Sequence, residues 1–124
     1  MQVTHVDFTT IFVDDYQAAV EFYGTTLGLE PGPKYGSIDG MEFQAGDNLT
    51  LSIMRAGAIG REFTPSTHPI AFRVDDVAAA RAELEAAGVT FFGETIDSGV
   101  CHIAPFSDPD GNTLMLHHRY APRD

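Results

Sequence analysis

The sequence has no tryptophan, a single cysteine and few basic residues. Seven Lys and Arg residues stand against eighteen Asp and Glu residues, which gives a formal net charge of −11. Such a deficit of cations argues against binding to nucleic acid phosphates or to anionic membrane surfaces. The lone Cys101 excludes an internal disulfide and fits a reducing compartment. We therefore expect a cytoplasmic protein whose partners include neither nucleic acid nor membrane.

Long hydrophobic runs are also missing. No stretch approaches the roughly 20 consecutive apolar residues that a membrane-spanning helix needs. Residues 1–8 carry no Lys or Arg and no long apolar run, so we expect no secretory signal there. The 124 residues, 44% of them hydrophobic, suit one folded domain with a proper core rather than two independent domains.

What the sequence does contain is an internal repeat. The triplet Val-Asp-Asp at residues 13–15 recurs at residues 74–76, 61 positions further on (74 − 13 = 61). In each copy an apolar strand leads into an acidic helix start, an alanine-rich helix and a glycine. A repeat of about half the chain length indicates a duplicated module. We place the modules at residues 1–58 and 67–120 of a single domain, joined by a linker at 59–66.

Local patterns predict the elements of each module. Asp side chains favour helix N-termini, and glycine favours helix ends and turns. In the first module we predict a strand at 3–13, a helix from Asp14 or Asp15 to Gly28 with a buried stripe of Tyr16, Ala19, Val20, Tyr23 and Leu27, and strands at 35–45 and 49–54 around a turn at 46–48. In the second we predict strands at 69–74, 90–92, 100–107 and 113–118, a helix from Asp75 or Asp76 to Ala87 with a buried stripe of Val77, Ala80, Leu84 and Ala87, a turn at 108–112 and a polar tail at 119–124.

The order of these motifs resembles one family. Phe22 and Tyr23 close the first helix, and the turn Asp-Pro-Asp-Gly-Asn at 108–112 precedes the last strand. Together with the repeat, they resemble the vicinal oxygen chelate superfamily, which includes glyoxalase I, bleomycin-binding proteins and extradiol dioxygenases. The resemblance implies an α+β fold of two tandem βαβββ modules, with helices outside a curved mixed sheet that encloses a cavity. It also implies a homodimer.

The same resemblance locates the metal ligands of the metal-dependent members. Those positions hold Phe8, Pro69 and Met115 in this chain, and the fourth falls at Thr50 or Ser52. Divalent cations need carboxylate, imidazole or thiolate donors, which this set does not supply. We therefore expect no metal ion and no other cofactor. A register slip that carried His5 or His68 inward would reverse this expectation.

Strand alternation predicts a ligand-binding surface. If the apolar residues of each strand face the helices, the opposite set lines the cavity. The predicted ligand-binding residues are Phe8, Thr10, Phe12, Arg73, Cys101, Met115 and His117. Arg73 suits a carboxylate or phosphate, and His117 suits proton transfer near neutral pH. Cys101 and His102 face opposite sides of their strand, so they do not form a nucleophile–base pair.

Two classes of function remain open from the sequence. The first is a metal-independent protein that binds and sequesters a small organic molecule, as the bleomycin-binding branch of the superfamily does. The second is an enzyme. It would be a metal-dependent lyase or dioxygenase with a displaced site, or a cofactor-free acid–base catalyst that uses His117. The lost ligand set favours the binding protein, and we assign no catalytic residue.

Overall fold

Two compact units make up the chain. In the computed structural model, which describes residues 1–47 and 49–123, the units are Met1–Pro65 and Ser66–Asp124. Their boundary lies inside the predicted linker 59–66. Asn48, placed in the predicted turn at 46–48, and Asp124, at the end of the predicted tail, lie outside the described residues.

The first unit is a four-stranded mixed sheet with one helical segment. Its elements are β1 (Phe8–Val13), α1 (Tyr16–Glu21), a π-helical turn (Phe22–Thr26), β2 (Glu30–Lys34), β3 (Gly40–Ala45), β4 (Leu49–Arg55) and a 3₁₀ turn (Ala56–Ile59). The strand order is β1-β4-β3-β2, with β1 parallel to β4 and the other pairs antiparallel.

The second unit repeats this plan. Its elements are β5 (Ile70–Arg73), α2 (Val77–Ala86), β6 (Ile96–Asp97), β7 (Cys101–Ser107) and β8 (Thr113–Arg119). The order β5-β8-β7-β6 again places the first strand parallel to the last, with antiparallel neighbours beyond it. The predicted α+β architecture of two βαβββ modules is therefore confirmed, and both sheets are open.

Both helices begin in the same way. The Asp15 side chain accepts a hydrogen bond from the Ala18 N–H at 3.1 Å, and that of Asp76 accepts one from Ala79 N–H at 3.0 Å. The two caps are 61 residues apart (76 − 15 = 61), which is the same interval that separates the two copies of the sequence repeat. Each cap satisfies one of the N–H groups that a helix start leaves without a partner.

The cores lie on the helix side of each sheet. Fully or nearly buried positions include Ile11 and Val13 of β1 and Leu114 and Leu116 of β8, as strand alternation predicts. The helices contribute Ala19, Tyr23, Val77 and Leu84 from the predicted stripes. Tyr16, Val20, Leu27 and Ala80 are only half-buried, and Ala87 is exposed.

Five predicted elements differ from the structure. The strand predicted at 35–45 begins only at Gly40, because residues 35–39 form a turn in which the Ile38 N–H donates to the carbonyl of Tyr35. The first strand begins at Phe8 rather than at residue 3, because its partner β4 itself begins at Leu49. The first helix widens into a π-helical turn, in which the N–H of Leu27 donates to the carbonyl of Phe22, so that Phe22 is also buried.

The other two differences fall in the second unit. Residues 90–92 form no strand and make only an isolated bridge, between Phe91 and Phe106. The chain then turns at Gly93, with φ of +74°, and the edge strand β6 follows. At the C-terminal end, Arg119 belongs to β8 rather than to the tail.

Candidate ligand-binding site

Three predicted site residues share one face of the first unit. Each sheet has a face away from its buried core, which we call the helix-free face. On β1 this face carries Phe8, Thr10 and Phe12, which pair with Thr50, Ser52 and Met54 of β4. Phe8 is 58% exposed, whereas Thr10 and Phe12 are half-buried. The guanidinium of Arg61 lies 4.5 Å from the centre of the Phe12 ring, a cation–π contact.

Beside these residues lies a polar network that sequence reasoning missed. The Tyr35 hydroxyl is 2.9 Å from Ser52 Oγ and 3.2 Å from Glu42 Oε2. Ser52 is only 4% exposed, so this contact satisfies a buried hydroxyl. Burial raises the pKa of Tyr35, and the neighbouring Glu42 carboxylate adds to that increase while the bond to Ser52 opposes it. The network therefore places a neutral phenol and a carboxylate on this face.

The alternation of apolar and polar residues along β3 could have located this network from the sequence. Met41 and Phe43 are buried, so Glu42 and Gln44 face the other way. The Thr50 hydroxyl donates to Gln44 Oε1 at 2.9 Å across the strand pair. Both strands of this hairpin therefore place polar groups on the helix-free face.

The remaining predicted site residues lie on the helix-free face of the second unit. Arg73 of β5 pairs in register with His117 of β8, and His117 pairs in turn with Ile103 of β7. Met115 lies one step along β8, opposite Ala71 and Pro105. Arg73 is exposed, and His117 and Met115 are half-buried. This face thus combines apolar surface with a cation and an imidazole.

Arg119 extends this face by one more cation. It pairs in register with Cys101, and its Nη1 lies 3.9 Å from the Cys101 sulfur. The analysis of the sequence ended the last strand at residue 118 and so left Arg119 in the tail. Continuing the alternation of Met115 and His117 by one step would have found it.

Cys101 and His102 diverge as predicted for neighbours on a strand. The His102 ring stacks on Tyr120 with centroids 4.8 Å apart, and its Nε2 lies 3.5 Å from Asp97 Oδ2. Asp97 also accepts hydrogen bonds from the Gly99 N–H and the Tyr120 hydroxyl. These donors hold the pKa of Asp97 below its ordinary value, and the carboxylate in turn raises the pKa of Tyr120.

The residues at the superfamily's metal positions do not fit a metal ion. Phe8 and Pro69 have no donor atom in their side chains, and Met115 offers only a thioether. Within residues 1–47 and 49–123, no three His, Cys, Asp or Glu side chains are grouped so as to hold a metal ion.

The two histidines considered as replacement ligands lie outside the strands. His5 precedes β1, is exposed, and pairs with Asp7 at 2.7 Å. His68 is exposed and lies two residues before β5 begins. The β1–β4 and β5–β8 pairings run without a register shift, so no bulge redirects either residue.

The two units have the same strand order, and each has one capped helix. The chain therefore has a tandem βαβββ fold. The profile of the glyoxalase, bleomycin resistance protein and dioxygenase superfamily matches residues 4–116. The chain belongs to this superfamily. A search of curated proteins found no match.

Solved structures support the same family. A superfamily member from Sphaerobacter thermophilus DSM 20745 has a TM-score of 0.80 at 25% identity, over 93% of this chain and 97% of that one. An antibiotic-binding protein from Streptomyces sp. CB03234 has a TM-score of 0.79 at 26% identity, over 96% and 98% of the two chains. A lactoylglutathione lyase from Agrobacterium tumefaciens shares the fold, with a TM-score of 0.74 at 20% identity over 94% and 95%.

Proposed function

We propose that this protein binds a small amphipathic organic molecule without a metal ion and sequesters it rather than transforming it. The proposal rests on the side chains that occupy the superfamily's metal-ligand positions in this chain, which are Phe8, Pro69 and Met115. They replace metal donors with apolar surface, which suits the body of an organic ligand. The similarity to an antibiotic-binding protein from Streptomyces supports the same class of function.

Each helix-free face by itself offers polar groups that can orient a ligand. In the first unit these are Tyr35, Glu42 and Ser52, and in the second they are Arg73 and His117. A largely apolar surface with a few polar groups is typical of small-molecule sites. The ligand we propose has a flat or apolar body and an acceptor group that Arg73 binds.

An acid–base enzyme that uses His117 is the second candidate, because His117 lies beside Arg73 on the same face. A catalytic histidine is ordinarily oriented by a carboxylate that accepts its second ring proton. Within the described residues, no carboxylate lies within hydrogen-bonding distance of His117. Sequestration is therefore the function we propose, with the cytoplasm as its compartment.

Metal content and dye binding test the proposal together. We expect protein purified without a histidine tag and dialysed against a chelator to hold well under one Zn, Ni, Mn or Fe per chain. The neutral dye N-phenyl-1-naphthylamine should bind it with one-to-one stoichiometry, equally well with and without chelator. One tightly held ion per chain on His5 or His68, with dye binding lost on chelation, would revive the lyase or dioxygenase.

A matched pair of variants locates the dye. Phe8 and Phe92 are both exposed phenylalanines, at 58% and 53%, but only Phe8 lies at a family ligand position. Because covering a phenyl ring stabilises a complex by about 1.5–3 kcal/mol, Phe8→Ala should weaken dye binding about tenfold or more. Phe92→Ala should leave it unchanged. Equal effects of the two variants would refute the site.

A further inference from the structure

On the helix-free face of the second unit, the described strand residues include two arginines and no carboxylate. Its strand residues, by alternation and register, are Ala71, Arg73, Ile96, Cys101, Ile103, Pro105, Ser107, Thr113, Met115, His117 and Arg119. The chain as a whole has eighteen acidic residues and seven basic ones. Because these strand residues include two arginines and a histidine but no carboxylate, the charge of this face is opposite in sign to that of the whole chain.

These three polar residues lie next to one another. Arg73 and His117 are register partners on adjacent parallel strands, and Arg119 is two residues beyond His117 on the same face. Neighbouring strands are about 4.8 Å apart, and alternate residues of one strand are about 7 Å apart. The Arg119 side chain extends toward Cys101 of β7, which flanks β8 on the side away from β5. It must therefore turn back across β8 to bind one small group together with Arg73, a movement that its length and flexibility allow.

Arg119 has donors left over for a ligand. Its Nη1 contacts the Cys101 sulfur at 3.9 Å and its Nη2 the Pro122 carbonyl oxygen at 3.4 Å, both of which are weak contacts. Its Nε is buried and has no hydrogen-bond partner in the described part of the chain. The two terminal nitrogens are therefore held only by weak contacts and can turn to an acceptor that a ligand brings, whereas the covered Nε cannot reach it.

The guanidinium of Arg73 also has hydrogen-bond donors available for a ligand. It makes no ion pair with any residue of 1–47 or 49–123, although the chain is rich in carboxylates. A planar guanidinium binds an oxyanion through two parallel hydrogen bonds, and a neutral acceptor through fewer and weaker ones. Two such groups beside an imidazole therefore select for negative charge rather than for a neutral carbonyl.

We infer that Arg73, His117 and Arg119 form one oxyanion-binding cluster, so that the ligand of this protein carries an ionised acidic group on an apolar body. This inference rests on the proposed function and narrows its ligand class. Arg119 is the new specificity-determining residue, and Met115 and Ile103 supply apolar surface next to it.

Two dyes with the same ring system test the inference. The probe 8-anilinonaphthalene-1-sulfonate carries a sulfonate, and N-phenyl-1-naphthylamine lacks it. We expect the wild-type protein to bind the sulfonate dye about tenfold or more tightly than the neutral one. Arg119→Met should remove most of that preference, because one charge-assisted hydrogen bond corresponds to about a tenfold change in affinity. The affinity for the neutral dye should stay within about twofold.

Two further variants keep the result interpretable. Arg123→Met removes the same charge from the chain but lies beyond β8, and it should leave both affinities unchanged. Arg119→Lys keeps the charge and loses the planar fork, so it should bind the sulfonate dye with intermediate affinity. It also provides a folded comparison if Arg119→Met is unstable in thermal melting.

Failure of the inference differs from failure of the proposed function. If the neutral dye binds and the sulfonate gives no advantage, or if Arg119→Met matches Arg123→Met, the oxyanion cluster is refuted while small-molecule binding stands. If neither dye binds, both are refuted.

Discussion

Arg73 is an exposed cation whose neighbours on the helix-free face are Met115, His117 and Arg119. Arg73→Met keeps most of the side-chain length and removes the charge. The charge-assisted hydrogen bond it would lose contributes about 1.5–3 kcal/mol, which corresponds to a 10- to 100-fold weaker complex with the sulfonate dye. Because Arg73 makes no ion pair among the described residues, the thermal midpoint should change little. Dye titration and thermal melting measure the two effects.

Arg81 provides a comparison for this prediction. It stacks on Phe91 and pairs with Glu85, so it is an arginine of the same unit that is already committed to internal contacts. Arg81→Met should lower stability and leave dye affinity unchanged, the reverse of the pattern for Arg73→Met. A loss of affinity in both variants would mean that total charge, rather than the cluster, controls binding.

Individual site residues were predictable wherever one strand face was clearly apolar. The alternation of Leu114 and Leu116 with Met115 and His117 fixed their sides, because a shift by one residue would bury the wrong set. Arg119 was missed because a strand end has no sequence signal when a polar tail follows. Tyr35 was missed because it was predicted to begin the strand at 35–45, whereas it lies in a turn and reaches Ser52 only through tertiary structure.

At the scale of elements, the two adjacent aspartates before α2 have separate roles. The Asp76 side chain accepts the Ala79 N–H and so caps the helix, whereas the exposed side chain of Asp75 has no hydrogen bond to any residue of 1–47 or 49–123. Asp76→Ala should lower the free energy of unfolding by about 1 kcal/mol, the usual value of an N-cap. Asp75→Ala, which removes the same charge, should change it by less than about 0.5 kcal/mol. Denaturant unfolding of both variants tests the assignment, and equal losses would contradict it.

The turn between β6 and β7 contains a pH-dependent contact. Hydrogen bonds from Gly99 and Tyr120, with His102 nearby, stabilise the ionised carboxylate of Asp97 and lower its pKa. A lowered carboxyl pKa adds stability above the unfolded-state value, and that stability disappears as pH falls through the folded-state value. Tyr120→Phe should therefore raise the pKa of Asp97 and reduce stability at neutral pH but not in strong acid.

Carboxyl NMR titration of Asp97 measures this shift directly. Tyr16→Phe is the matched control, because it also removes a phenol hydroxyl and Tyr16 is not among the groups that shift the pKa of Asp97. An unchanged Asp97 pKa in Tyr120→Phe would contradict the prediction and leave the Gly99 N–H and His102 as the causes of the lowered value.

Helices and strands were predicted most accurately where buried apolar residues recur at regular spacing along the sequence. The helix α2 and the strands β4, β7 and β8 follow the predicted ranges to within one or two residues because buried residues define them. The strand β3 begins five residues later than predicted, and the first helix ends in a π-helical turn. Two of the edge strands, β2 and β6, were not predicted. β2 contains Pro31 and Pro33, which only an edge strand tolerates, and β6 is two residues long.

At the scale of the whole molecule, global and local charge have opposite signs. The chain carries a formal net charge of −11, yet the described strand residues on the helix-free face of the second unit include Arg73 and Arg119 and no carboxylate. Salt screens exposed charges beyond about 8 Å at physiological ionic strength. The nearby arginines therefore decide which ligand is held, and the distant carboxylates serve mainly solubility.

Self-association is the last property that belongs to the whole molecule. Family resemblance implies a homodimer, and several large apolar side chains are exposed, among them Phe8, Phe92 and Ile96. Exposed apolar residues favour association when they are gathered rather than scattered. We therefore expect light scattering after gel filtration to give twice the chain mass, with dissociation on dilution. A single-chain mass at every concentration measured would contradict the dimer without affecting the ligand-binding proposal.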